Sequence, residues 1–233
     1  MGIFDNLWEK KARGPSPVYQ SEGHSYKVGD LIANRYEIHH ILGGEGKTGM
    51  GVVYVCFDNE FKELLALKTF QERYFHSKNV KDSFKKEALA WIQLEKHLHI
   101  VRAYWVQELD NRMFVACEFI TSDGEGRSTL TDYLKSPLPL RQGLNWSIQF
   151  CHGMEYAFSK GVTPHRDIKP DNIMITIDGT LKITDFGLAG LWDKAEIAEE
   201  LKDLMKKNKT DVTFLKIANN RVVAGTPSWM APE

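Results

Sequence analysis

His165-Arg166-Asp167-Ile168-Lys169-Pro170-Asp171-Asn172, followed a short way on by Asp185-Phe186-Gly187, is the stretch on which the reading of this chain turns. It gathers carboxylates, a carboxamide and two cations into two closely spaced segments. Moving a phosphoryl group needs a hard divalent cation held by oxygen ligands, a carboxylate to orient or deprotonate the attacking hydroxyl, and positive charge on the phosphates. All three residue types are present. The bland alternative is a polar turn that happens to spell these residues. A lone Asp-Phe-Gly would be weak, but joined to the loop before it the order is specific.

The surroundings are structured in two styles. From Tyr36, short apolar and β-branched runs broken by glycine (36 to 42, 52 to 57, 63 to 70) predict antiparallel strands. Residues 79 to 96 switch to helical spacing, with Val80, Phe84, Ala88, Trp91, Ile92 and Leu94 mostly on one stripe, and strands resume at 100 to 107 and 113 to 119. Past Gly124 and Gly126 the pattern turns helical at 128 to 135 and 140 to 160, with short strands at 173 to 176 and 181 to 184. Residues 1 to 35 read as a tail and linker around Gly14-Pro15-Ser16-Pro17.

The central stretch resembles the catalytic loop and metal-binding motif of eukaryotic-type (Hanks-type) Ser/Thr protein kinases, in the style of bacterial or archaeal members. That resemblance implies an α+β bilobal fold: a five-stranded antiparallel N-lobe with one main helix (about 36–119) and a mostly helical, incomplete C-lobe (about 120–233). It implies Asp167 as catalytic base, Lys169 on the transferring phosphate, and Asn172 and Asp185 as Mg2+ ligands. Lys68, in Ala66-Leu67-Lys68, matches the strand lysine that pairs with ATP phosphates, and Glu87 the helix carboxylate that positions it. Glu95 competes for that role but lies two turns later. The neighbours outweigh the ordinary reading of a strand lysine or a helix-face glutamate as solvated side chains.

Around the nucleotide, Leu42, Gly43, Gly44, Gly46, Gly49, Gly51 and Val53 resemble the glycine-rich loop over the phosphates, where missing side chains let backbone amides approach. The match has two registers. Gly44, Gly46 and Gly49 satisfy GxGxxG but leave Gly51 where a valine belongs; ending on Gly51 puts Thr48 at a glycine position. A Walker A loop is rejected, since its first glycine would be Ile41. Phe114 to Ile120 resembles the strand entering the hinge, which implies Cys117 at the gatekeeper and the backbones of Glu118 and Ile120 against adenine. A plain buried strand with a core cysteine predicts the same residue types. Gly225-Thr226-Pro227 to Ala231-Pro232-Glu233 resembles the end of the activation segment (185–233), with Thr226 bracing Asp167 and Lys169. Lys169 together with Thr226 favours Ser/Thr over Tyr.

Departures from the pattern are informative. The activation segment is long and carries a capped amphipathic helix candidate at 193 to 207, either a tolerated surface insertion or an element that docks near the cleft. Arg166 is the expected receiver of a phosphorylated Thr210, Thr213 or Thr226. Gly161-Val162-Thr163-Pro164-His165 has one residue more than the usual run. The family continues past the residue matching Glu233 with helices that support the catalytic loop, so a further C-terminal chain or partner is expected.

Composition excludes several classes. With 42% hydrophobic and 26% charged residues the chain is globular, and a formal net charge of −1 provides no global field for nucleic acid. Cys56, Cys117 and Cys151 lack disulfide or zinc spacing, which fits a reducing cytoplasm. No run is long and apolar enough for a membrane segment, and Asn6 stands where a myristoylation signal needs Ser or Thr. The expected function is ATP- and Mg2+-dependent phosphorylation of a protein Ser/Thr hydroxyl. The alternatives are a truncated pseudokinase or nucleotide-binding scaffold, and a small-molecule kinase, against which the Gly-Thr-Pro…Ala-Pro-Glu ending argues.

Overall fold

In the computed structural model, residues 26–43, 51–70, 78–162 and 165–186 are described. Strands β1 (Leu31–Ile32), β2 (Tyr36–Gly43), β3 (Gly51–Asp58), β4 (Glu63–Phe70), β5 (Ala103–Leu109) and β6 (Arg112–Glu118) form one sheet in the order β1-β2-β3-β4-β6-β5, antiparallel throughout. The sheet has six strands where the sequence pattern predicts five. The extra one, β1, is two residues long, too short for periodicity to register. It turns back through Ala33 and Asn34, both at positive φ, to pair Ile32 with Tyr36.

Side-chain alternation divides this sheet between two cores. Tyr54, Cys56, Leu65, Leu67, Phe114 and Ala116 point to one, joined by Ile32, Tyr36 and Ile38. Val115 and Cys117, with Ala66 packed beside them, point to the other, which continues into the second lobe. Helix α1 (Lys78–Ile92) lies on that second face against β5 and β6, burying Phe84, Ala88 and Trp91. The buried Trp91 indole donates to Val101 O at 2.9 Å, so its polar edge is satisfied. α1 ends earlier than its sequence pattern implies: the chain tightens through Leu94, and Glu95 takes φ +54°.

The second lobe contains α2 (Leu130–Tyr133), α3 (Leu140–Ser159) and the hairpin β7 (Ile173–Ile175) and β8 (Leu181–Ile183). α2 is nucleated by a capping box between Thr129 and Asp132. α3 starts after Pro139 and stops in a Schellman arrangement: Gly161 sits at φ +77°, Val162 N donates to Ala157 O, and Gly161 N to Phe158 O. One face of α3 buries Trp146, Gly153, Met154 and Ala157, while Leu140, Leu144, Ile148 and Phe158 on other faces are exposed.

Residues 100 and 101 do not extend β5 as the sequence pattern implies. Ile100 instead bridges Ile183 in parallel, with Val101 N donating to Ile183 O and Ile183 N to His99 O. The first lobe is thereby fastened to β8 through the backbone.

Gly153 is where α3 meets this junction. A Cβ there would lie 2.8 Å from Ile183 Cδ1 and 2.9 Å from His99 O. Alanine improves intrinsic helix propensity by ~1 kcal/mol, but crowding against a carbonyl oxygen and a packed side chain costs ~1–3 kcal/mol. Gly153→Ala is expected to lower the thermal unfolding midpoint by several degrees; a rise would show that the junction yields.

Candidate active site

The β7–β8 hairpin explains why two sequence segments become one site. The catalytic-loop candidate enters β7 and the Asp-Phe-Gly segment leaves β8, so antiparallel pairing of Ile173 with Ile183 sets Asn172 beside Thr184. Thr184 N donates to Asn172 O at 3.0 Å. Behind the loop, His165 is buried, with Nε2 2.8 Å from Thr184 O and its ring 4.8 Å from that of the buried Phe186. Arg166 and Asp185 take φ values of +68° and +66°. Such backbone is uncommon for non-glycine residues and is sustained only where surrounding contacts hold it.

Asp167 is the focus. Lys169 Nζ lies 2.8 Å from Asp167 Oδ2, and Asn172 Nδ2 donates to the same oxygen at 2.9 Å and to Asp167 O at 2.8 Å. Asn172 is 5% exposed, so its amide is held in one orientation. Across the cleft, Lys68 Nζ forms an ion pair with Asp185 Oδ2. Lys68 is half-buried on β4, opposite Val53 and Val115. Glu87 is half-buried on α1, while Glu95 lies beyond that helix and pairs with Lys160 at 3.3 Å.

The other sequence candidates distribute clearly. Val53, Lys68 and Cys117 share one face of the sheet, and Glu118 and Ile120 follow at the end of β6. Leu42 is exposed at the end of β2. Gly43 takes φ +81° and a Cβ there would lie 2.7 Å from Gly51 O, so this position demands glycine. A Cβ at Gly51 would make only ordinary contact with Lys68 Cε, at 3.4 Å. Gly44, Gly46, Gly49, Gly187, Thr226 and the helix candidate at 193–207 lie outside the described residues, as do the candidate phosphate acceptors for Arg166.

Burial pushes the Cys117 thiol well up, and the nearby Asp185 carboxylate adds to this. It is therefore a neutral packing group. Two residues that the sequence reading does not name as site members join this face. Ala66, two residues before Lys68, stands on the same side of β4, and Met174, two residues after Asn172, is half-buried against the same core. Alternation from Lys68 and from Asn172 is the signal that could have found them.

Burial also pushes the His165 imidazole below its ordinary 6.5, against the opposing pull of its Thr184 hydrogen bond and of Asp185 and Asp167. The fold therefore favours the neutral ring. Its contribution is complete above the unfolded value of about 6.5 and is lost as pH falls from there toward the lower folded value. The thermal midpoint should drop between about pH 7.5 and pH 5.5. His165→Phe should have a shallower dependence, with a residual slope from His97, which burial also pushes down. An unchanged slope in the variant would assign the effect elsewhere.

The side chains that could hold a divalent cation here are one carboxamide, Asn172, and one carboxylate, Asp185. Asn172 uses its Nδ2 on Asp167, which directs that amide nitrogen inward. Among the described residues, no cluster of three or more His, Cys, Asp or Glu is arranged to hold a metal. Two oxygen donors fit Mg2+, which characteristically completes its shell with substrate phosphates and water. No helix among the described residues is long and apolar enough to cross a membrane.

Comparison with known proteins gives matches in both sequence and fold. The protein kinase domain model matches residues 36–233. The chain is 31% identical over 209 residues to the serine/threonine-protein kinase PknD of Protochlamydia amoebophila, covering 84% of this chain and 20% of that protein. It is 32% identical over 164 residues to the serine/threonine-protein kinase PrkC of Bacillus subtilis, covering 70% of this chain and 24% of that one. It thus spans about a quarter or less of each of these two curated relatives. The crystal structure of the Mycobacterium tuberculosis PknI kinase domain superposes with a TM-score of 0.57 at 22% identity, covering 76% of this chain and 68% of that one.

Proposed function

We infer function from one established premise: this chain belongs to the protein kinase family. The activity that the site supports best is transfer of the ATP γ-phosphoryl group to a serine or threonine hydroxyl of a protein. The observation that carries this reading is the convergence of Lys169 and Asn172 on Asp167, next to the Asp185–Lys68 pair. A carboxylate held by an ammonium and a buried amide is oriented before substrate arrives, and such preorganisation is where most of the catalytic advantage in phosphoryl transfer lies.

In the proposed reaction, Asp167 orients the substrate hydroxyl and accepts its proton. The hydroxyl oxygen forms a bond to the γ-phosphorus as the bond to the bridging oxygen breaks, and ADP leaves with that electron pair. Lys169 offsets negative charge on the transferring group, and Lys68, positioned with Glu87, binds the inner phosphates. Mg2+ held by Asn172 and Asp185 supplies charge neutralisation on the phosphates. Cys117, Ala66 and Met174 form apolar walls for the base, with the Glu118 and Ile120 backbones along its edge. Leu42, Val53 and glycines 43, 44, 46, 49 and 51 cover the phosphates, and Thr226 braces the catalytic loop. A cytoplasmic location fits the composition and the free, buried Cys56 and Cys117.

The test is transfer of label from γ-labelled ATP and Mg2+ to generic protein substrates, followed by phosphoamino-acid analysis. Phosphoserine or phosphothreonine is expected. Nucleotide binding without any transfer would favour the scaffold reading, and phosphotyrosine alone would overturn the specificity.

A further inference from the structure

We propose that the side chains of Glu118 and Lys182 form a positioning pair that couples the adenine side of the cleft to its metal side by holding β8 in place. The inference rests on the nucleotide-binding reading above, which uses only the Glu118 backbone and gives Lys182 no role.

Lys182 Nζ lies 3.0 Å from Glu118 Oε2, and the two side chains are 14% and 29% exposed. Oε2 also accepts from Arg102 N at 3.2 Å, and Glu118 N donates to Arg102 O at 2.8 Å. Glu118 is thereby bound on both its backbone and its side chain to the segment after α1. That same segment grips β8: Val101 N donates to Ile183 O, Ile183 N to His99 O, and the His99 ring Nδ1 lies 3.1 Å from Leu181 O. The end of β6, the stretch from His99 to Arg102, and β8 form one hydrogen-bonded unit, and the Glu118–Lys182 bridge closes it.

Position gives this unit a consequence. Asp185 is three residues beyond Lys182, and the residues flanking it in the core, Ile183 and Phe186, are 0% and 1% exposed. Packed side chains of this kind do not absorb a displacement; they pass it on. A shift of β8 would move the positive-φ turn that presents Asp185 and would strain the Thr184–Asn172 bond to the other metal donor. The Glu118 carboxylate is therefore linked to both proposed Mg2+ ligands while its backbone lies at the adenine edge. A surface ion pair would be weak, but this one is half-buried and shared with a backbone amide, which raises the cost of losing either partner.

The experiment is calorimetric binding of ADP with and without Mg2+ to the whole chain, compared among wild type, Glu118→Gln, Lys182→Met and the double variant. Gln keeps an acceptor for Arg102 N and Met keeps the apolar stem, so each removes the charge with little change in shape. Wild type should bind ADP more tightly with Mg2+ present. Each single variant should lose about three- to tenfold of that gain, with metal-free affinity little changed in Lys182→Met, and the double variant should be no worse than either single. Lys182→Arg, which restores the cation, should regain the effect.

An undiminished Mg2+ gain in the single variants, additive losses in the double, or failure of Lys182→Arg to rescue overturns the coupling while leaving the nucleotide site intact. Wild-type protein that binds no ADP overturns the site reading itself, and this inference with it. Should Lys182→Met fail to fold, Glu118→Gln and Lys182→Arg decide the matter alone.

Discussion

Asp167→Asn is expected to reduce phosphoryl transfer by about a thousandfold, within the range that loss of a positioned general base produces, while leaving ADP affinity within about twofold of wild type. Asn is nearly isosteric, and its carbonyl oxygen can still accept from Asn172 Nδ2 or Lys169 Nζ, the two donors now shared by Oδ2. The loop should keep its shape, and the Lys68–Asp185 side of the cleft is untouched. What disappears is the negative charge that draws the hydroxyl proton. A steady-state rate lowered at unchanged nucleotide affinity separates a chemical defect from a binding defect. A drop of only a few fold would remove Asp167 from the role of base.

Asp167 is legible in the sequence, whereas most of its setting is not. Asp167, Asn172 and Asp185 stand out because the chemistry demands those residue types in a fixed local order. Their mutual contacts depend on the hairpin between β7 and β8, which strand periodicity locates without specifying distances. Lys68 illustrates the intermediate case: its strand was legible, but its partner Asp185 lies 117 residues away. Glu118 and Lys182, 64 residues apart, carry no local signal at all.

Glycine and strand length show two other limits. By helix propensity alone a glycine at 153 weakens α3, because propensity is a local quantity; against Ile183 and His99 it is the only residue type that fits without displacement. The glycine-rich segment offers two registers, and the spacing of its glycines cannot choose between them. The structure fixes one end of the segment, where Gly43 faces Gly51 O. β1 escaped because two residues cannot display alternation. Its pairing is a tertiary event, set by the turn at Ala33 and Asn34 and by Ile32 entering the core.

Asp185→Asn should behave unlike Asp167→Asn, and the difference follows from the Lys68 ion pair. Lys68 and Asp185 neutralise each other with 20% and 17% of their side chains exposed. In the proposed site, phosphate oxygens would compete with Asp185 for Lys68, and the Asp185 carboxylate would hold the cation. Replacing Asp185 by Asn removes the competitor for Lys68, so affinity for metal-free ADP should stay the same or rise. It also removes the carboxylate from the metal donor set, and a carboxamide is a much weaker ligand for a hard cation. The Mg2+-dependent gain in ADP affinity should therefore collapse, and transfer should fall by about a thousandfold or more, since charge neutralisation on the phosphates supplies much of the catalysis. Calorimetry with and without Mg2+, alongside a transfer assay, reads both effects. The two variants should be inactive for opposite reasons, Asp167→Asn with metal-dependent binding intact and Asp185→Asn with it lost. Retention of the full Mg2+ gain in Asp185→Asn would mean that the cation is held elsewhere and that the Lys68 contact does not mark a metal site.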